Sequence, residues 1–192
     1  MEIFFRVFQG IYEMPNIHPL IVHFPIALLT SFLLMELLSV VTGKESFRAA
    51  ATWMLYLGTI GALAAVSAGL WAAATVEHSD EAHKVLLRHR DLGITVLALS
   101  VILSAWRIYS KGSFSRKRQV LHLAIAFIMV LIMALGADKG GLMVYKYGVG
   151  VKAARSVETE GHVHAGGEDM AGRAGEEKKH GERDQGTPEV VR

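Results

Sequence analysis

Five histidines lie close to the ends of long apolar runs, where imidazole rings could bind a metal or carry protons. The string HPLIVHFPIALL places two of them, His18 and His23, at the start of the first run. Imidazole is the commonest side-chain metal ligand and titrates near neutral pH. Because ionisable side chains are costly inside a membrane, those that occur there mark candidate functional sites. The other three are His78, His83 and His89.

Four apolar runs accompany these histidines and predict membrane-spanning helices. The chain has 192 residues, of which 52% are hydrophobic. A hydrocarbon core of about 30 Å needs roughly 17 to 25 helical residues, and we place the spans at 19–41, 52–76, 92–109 and 119–137. The sequence therefore predicts an all-α, integral membrane four-helix bundle. Counting spans puts the five histidines on the face that carries both termini, with His122 on the opposite face.

Composition divides the chain into three parts. Residues 1–16 predict an interfacial N-terminal segment, residues 17–151 a four-span membrane domain, and residues 152–192 a disordered, charged tail. From residue 156 the tail carries nine acidic and five basic side chains, a net charge of −4, so the rest of the chain is +6. A segment of this composition buries too little apolar surface to fold alone.

Composition also excludes or disfavours several function classes. The chain contains no cysteine, which excludes disulfides, thiolate metal sites, covalently attached haem and a cysteine nucleophile. No compact nucleic-acid-binding module is indicated, and the basic charge suits loops beside lipid headgroups. No set of nucleophile, base and orienting residue is visible. We therefore expect no catalytic residue, and an enzyme acting by itself is disfavoured but left open.

The distribution of basic residues predicts the orientation in the membrane. Lysine and arginine in short loops favour the cytoplasmic side. The face opposite the termini has seven such residues in or beside short loops, whereas the face of the termini spreads its basic residues over longer segments. We therefore expect both termini outside. The seven residues are Lys44, Arg48, Arg107, Lys111, Arg116, Lys117 and Arg118.

Local geometry ranks the histidines as ligands. His23 lies about one turn inside the first span, whereas His18 precedes Pro19 and is expected in an extended conformation at the helix entrance. His89 stands one turn before Gly93 on the same helix face, beside a notch without a side chain. We predict His23 and His89 as ligands of a haem or metal ion, with His18 as a gate or supporting residue.

Four other polar side chains are candidates for a supporting role or for proton handling. Asp138 ends the fourth span on the histidine-rich face and could orient an imidazole through a hydrogen bond, or it could be a solvated cap. His83 and Tyr147 are the other candidates for such a supporting role. Glu36 lies about five residues from the far end of the first span, where we favour a protonated or interfacial carboxyl over a proton relay.

Small residues repeat every four positions in the second span, at Gly61, Ala65, Gly69 and Ala73. Such a stripe lets helix backbones approach closely. Packing inside a four-helix bundle is the favoured interpretation. Close approach to a flat cofactor or to a second subunit is the alternative.

Three strings together resemble an uncharacterised bacterial membrane family, domain of unknown function 2231, over residues 17–151. They are HPLIVHFPIALL, HRDLG and GGLMVYKYGVGV. The resemblance implies four spans in a bacterial inner membrane. Some members are fused to cytochrome c-type modules, which implies the outer face and electron transfer. The family pattern often has histidine where this chain has Tyr147, so the resemblance does not imply a ligand from that loop.

These observations lead to one preferred hypothesis and two alternatives. The preferred hypothesis is a membrane domain that binds one haem b, or a similar metal centre, near the outer face and exchanges electrons with a partner such as a cytochrome. Haem bound in this way needs two ligands from facing helices. The alternatives are a metal-handling or proton-linked carrier that uses the same histidines, and a non-redox structural subunit of a larger membrane complex. The lipid bilayer is the one partner that every hypothesis requires, and a homo-oligomer is left open.

Overall fold

The computed structural model describes residues 6–110 and 115–151, and all regular structure within them is helical. The prediction of an all-α fold is confirmed. Residues 1–5 and the segment 152–192, which we expect to be disordered, lie outside the described part of the chain. Among the described residues from Gln9 onward, the helices are α1 (Gln9–Glu13), α2 (His18–Ile21), α3 (His23–Thr42), α4 (Glu45–Thr75), α5 (Asp80–Tyr109) and α6 (Arg116–Tyr145).

The predicted number of membrane spans is confirmed, because in the described part of the chain four helical segments are long and apolar enough to cross a bilayer. Helices α2 and α3 together form span 1 (His18–Thr42), and α4, α5 and α6 form spans 2, 3 and 4. The helices extend beyond the predicted runs, and α5 begins at Asp80 rather than at residue 92. Hydropathy marks only the part of a helix in hydrocarbon, whereas α5 starts in a polar segment where the Ser79 hydroxyl accepts from the Ala82 N–H at 3.3 Å.

The four spans form a closed bundle. Each span packs against the next along the chain, and span 4 packs against span 1. Spans 1 and 3 are therefore diagonal, as are spans 2 and 4. Many large apolar side chains on the outer surface are exposed, as a lipid-facing surface requires. The interior is filled by buried apolar side chains from all four spans, including Leu29, Phe32, Leu55, Leu103 and Met129.

Small residues of span 2 bring it close to span 1. A Cβ atom at Gly58 would lie 2.7 Å from Cδ2 of Leu29, and one at Gly61 would lie 3.3 Å from Cδ of Pro25. Because these positions carry no side chain, the two backbones approach more closely than larger residues would allow. The small residues therefore serve packing within the bundle at these two positions.

Spans 1 and 2 form the first helical hairpin, spans 3 and 4 form the second, and the two correspond in position. Adding 71 to a residue number in the first hairpin gives the equivalent position in the second, as with Glu36 and Arg107. The same shift relates the start of α4 at Glu45 to the start of α6 at Arg116. Buried positions repeat with the same shift, so the bundle is a repeat of two parallel hairpins. Buried pairs related in this way are Leu29 and Ser100, Phe32 and Leu103, Glu36 and Arg107, and Leu55 and Ala126.

Candidate functional site

Histidines from the two diagonal spans meet at one end of the bundle. His18 begins span 1 and His89 lies in the third turn of span 3. Their ring centroids are 5.9 Å apart and their ring planes make an angle of 88°. The expectation that Pro19 keeps His18 in an extended segment is wrong, because His18 is the first residue of α2 and Pro19 occupies the first turn, where its missing N–H costs nothing.

A backbone carbonyl from the neighbouring span holds each ring. Nδ1 of His18 lies 2.9 Å from the Ala65 oxygen of span 2, and Nδ1 of His89 lies 2.8 Å from the Gly136 oxygen of span 4. Because a carbonyl only accepts, Nδ1 carries the proton in each ring and Nε2 holds the lone pair. Within residues 6–110 and 115–151, neither Nε2 has a hydrogen-bond partner. Metal-binding histidines are oriented by bonds of this kind.

A glycine lies against each ring. A Cβ atom at Gly69 of span 2 would lie 2.9 Å from Cε1 of His18, and one at Gly140 of span 4 would lie 3.3 Å from Cε1 of His89. The notch that the sequence placed at Gly93 is elsewhere, because a Cβ atom there would lie 3.9 Å from a methyl group of Val66. Each histidine therefore occupies a gap in the neighbouring helix of its own hairpin.

His23, predicted as a ligand together with His89, is exposed. It is five residues from His18, which places it about 140° around an ideal helix. The equivalent position in the second hairpin is Ile94, whereas the equivalent of His18 is His89. The structure therefore brings His89 to His18, and a ligand role for His23 stays a prediction.

The three predicted supporting residues have other contacts. Asp138 is exposed, and its carboxylate accepts from Nζ of Lys139 at 2.9 Å. The backbone carbonyl of Gly136, two residues before Asp138, orients the His89 ring instead.

His83 is exposed on the loop side of α5, where its Nδ1 lies 2.9 Å from Nε2 of His78 and the two rings stack. Tyr147 is half-buried, with Nζ of Lys146 at 5.2 Å from the centre of its ring. Neither interaction involves His18 or His89.

The donor set limits which metal group could fit. Among the described residues there is no cluster of three or more histidine, cysteine, aspartate or glutamate side chains suited to a metal ion. A zinc site normally takes three or four protein ligands. Haem iron needs only axial ligands from the protein, because the macrocycle occupies the other positions. The two imidazoles with fixed tautomers, His18 and His89, are fewer ligands than a zinc site normally takes.

A second polar centre, the buried ion-pair cluster, lies at the other end of the bundle and consists of Glu36, Thr52, Arg107 and His122. Nη2 of Arg107 donates to Glu36 Oε2 at 2.6 Å, and Nη1 donates to the Thr52 hydroxyl at 3.1 Å. Nδ1 of His122 lies 3.5 Å from Glu36 Oε1. Each of the four spans thus contributes one side chain.

The cluster corrects two expectations from the sequence. Glu36 has no exposed surface, so it is not an interfacial carboxyl, and Arg107 is only 2% exposed, so it is not a loop residue. Each lies within one or two turns of the end of its span, which suggested that its charge could reach water. The signal that sequence reasoning missed is their common offset of 71 positions, the same as that between His18 and His89.

The two centres are well separated. His89 and Arg107 lie 18 residues apart on the same helix, which corresponds to about 27 Å along its axis. This distance approaches the thickness of a hydrocarbon core, about 30 Å. The paired histidines and the buried ion-pair cluster therefore lie near opposite faces of the membrane.

Comparison with known proteins gives a family but no function. A family model described as "Predicted membrane protein (DUF2231)" matches residues 14–153. No curated protein and no solved structure matches the chain.

Proposed function

Since the chain belongs to the DUF2231 family of membrane proteins, whose description states no activity, we propose that its bundle binds one haem b between His18 and His89 and transfers electrons. The observation that carries the proposal is the matched hydrogen bonding of the two rings. Each Nδ1 is committed to a carbonyl at 2.8–2.9 Å. Each Nε2 is consequently the atom available to a metal.

The spacing of the rings supports this proposal. Two imidazole nitrogens that each lie about 2.0–2.1 Å from one metal allow their ring centroids to be at most about 6.5 Å apart. The observed separation of the His18 and His89 centroids is 5.9 Å. The two rings come from equivalent positions of two similar hairpins, so each hairpin would supply one ligand to the same metal.

The residues of this chain would hold the haem, fix its ligands and exclude competing tautomers. A bound haem supplies reversible one-electron chemistry. The carbonyls of Ala65 and Gly136 keep the proton on Nδ1 of each ring and increase the basicity of Nε2. Gly69 and Gly140 leave room for the rings between the helices.

Orientation and partner follow from the same proposal. Arg107 is buried and no longer counts as a loop residue, but six basic loop residues remain on the face opposite the termini. We therefore propose that both termini and the paired histidines face the outside of a bacterial inner membrane. An electron-transfer partner such as a cytochrome would then approach from that side. A second copy of the chain is not required, and a homo-oligomer stays a prediction.

The test is the absorption spectrum of the full chain purified from membranes of cells supplied with ample haem precursor. We expect a Soret band in the wild type and in His23→Ala, and its loss in His18→Ala and His89→Ala. His23→Ala is the matched control, since it removes an exposed histidine from the same span. Added imidazole should restore the band in His18→Gly.

Two results would overturn the proposal. A Soret band that survives His18→Ala but disappears in His23→Ala would assign the ligand to His23, as the sequence alone suggested. A colourless wild-type protein would exclude haem. Metal analysis of that colourless sample would then separate a metal-handling carrier from a structural subunit.

A further inference from the structure

Within the buried ion-pair cluster, the His122 ring lies between two oxygen atoms. Nε2 of His122 lies 3.4 Å from the Leu103 carbonyl, and Nδ1 lies 3.5 Å from Glu36 Oε1. Both neighbouring oxygens are acceptors when Glu36 is ionised. A neutral imidazole has one N–H, so whichever nitrogen carries it, the other nitrogen faces an oxygen lone pair.

We propose that His122 and Glu36 form a proton-binding site, in which one additional proton is shared between Nδ1 of the ring and Oε1 of the carboxylate. Uptake takes one proton from the aqueous phase and raises the charge of the cluster by one. Release returns it to water, and no bond between heavy atoms changes. The site does not depend on haem, because it lies near the opposite face of the membrane.

Two aromatic rings and one guanidinium surround the pair. The rings of Phe32 and Trp106 make T-shaped contacts with the His122 ring, with centroids 5.9 and 5.7 Å away. Arg107 opposes the protonated state of the pair, since it adds positive charge, but its guanidinium is bound to the other carboxylate oxygen of Glu36 at 2.6 Å.

Each span contributes identifiable groups around the pair. Span 1 supplies Glu36, span 3 supplies Arg107, and span 4 supplies His122 itself. Span 2 supplies the Thr52 hydroxyl, which donates to the Arg48 carbonyl one turn earlier.

The Arg48 side chain is half-buried and pairs with Glu45 at 3.1 Å. Among these charged groups, the Glu36 carboxylate is the one of opposite sign that lies beside the His122 ring, at 3.5 Å.

A buried hydroxyl provides a route toward the nearer membrane face. Ser39 lies three residues beyond Glu36 on the same side of α3 and is 3% exposed. Within residues 6–110 and 115–151 its hydroxyl has no hydrogen-bond partner. Buried polar groups normally bond to protein or to water. Ser39 is consequently placed to hold a water between Glu36 and the aqueous phase.

The test is solid-state NMR of the full chain in lipid bilayers, with histidine ring nitrogens labelled with ¹⁵N. Sequential backbone correlations assign His122 without a variant. Between about pH 5 and 9, we expect both His122 nitrogens to carry or share protons at the acidic end. One proton should be lost as the pH rises.

Variants test the role of the carboxylate. Glu36→Gln should lower the proton affinity of His122 at least about tenfold, because it removes an opposite charge at hydrogen-bonding distance. Glu45→Gln is the matched control and should leave it unchanged, since Glu45 is exposed on another span.

A wild-type His122 that stays a single neutral tautomer across this range would overturn the proposal, as would an unchanged titration in folded Glu36→Gln. If that variant does not fold, the wild-type titration decides alone.

Discussion

Replacing Gly69 with alanine tests whether the His18 ring is fixed between the helices. The new Cβ atom would lie 2.9 Å from Cε1 and 3.1 Å from Nδ1 of that ring. Carbon atoms do not pack at 2.9 Å, so the ring has to move. Movement away from span 2 also breaks the bond from Nδ1 to the Ala65 carbonyl, now 2.9 Å long.

The magnitude follows from three terms. Overpacking of a well-packed interior costs about 1–3 kcal/mol, and loss of the hydrogen bond costs about 0.5–1.5 kcal/mol. Alanine is about 1 kcal/mol more favourable than glycine in a helix interior. The expected net loss for Gly69→Ala is about 2 kcal/mol, which is roughly a 30-fold change in the folding equilibrium.

The assay is reversible unfolding of the full chain in mixed micelles, with Gly93→Ala as the control. Gly93 is also inside a span, but its new Cβ atom would meet only a Val66 methyl group at 3.9 Å, which is an ordinary contact. That variant should be as stable as the wild type or slightly more so. Equal stability of Gly69→Ala and Gly93→Ala would refute the reasoning, because it would mean that the His18 ring is free to move.

Two further predictions concern the ion pair and the orientation. Glu36→Leu should lower the free energy of unfolding by about 3–5 kcal/mol, because it removes the carboxylate that compensates the buried Arg107 charge. Adding Arg107→Met should recover most of that loss in the same unfolding assay, and equal losses in the single and double variants would contradict this. Because the chain has no cysteine, a single cysteine introduced at exposed Lys84 or Lys44 reports the orientation of the chain in the membrane. A membrane-impermeant maleimide should label Lys84→Cys on intact cells and Lys44→Cys only after permeabilisation. The reverse labelling pattern would contradict the proposed topology.

The spans could be predicted from the sequence because hydropathy is a local property. A run of apolar residues favours a membrane helix whatever surrounds it. The rotation of each helix about its axis is different, since lipid on the outside is as apolar as the core and little pattern separates the two faces. Whether His18 or His23 faces His89 depends on that rotation, and only the structure shows that the neighbour of His89 is His18.

The buried ion-pair cluster could not be found from either charge alone. Arg107 lies two residues before the end of α5, and a long side chain at that position often reaches water. Its partner, Glu36, is 71 positions away on a diagonal span. Only the packing of the bundle shows that the two charges meet in its interior. Comparison of the two hairpins along the sequence would have indicated that they occupy equivalent positions.

The opposite charges at equivalent positions determine how the two halves of the chain can assemble. Two copies of the first hairpin would place one Glu36 carboxylate against another, and two copies of the second would oppose two Arg107 guanidiniums. Either arrangement leaves like charges buried without compensation. If the chain were cut in the loop between spans 2 and 3, the fragments would therefore associate as a heterodimer and not with themselves. The paired histidines are the same residue type in both hairpins, so they allow like or unlike hairpins to associate. The choice of partner hairpin therefore depends on Glu36 and Arg107.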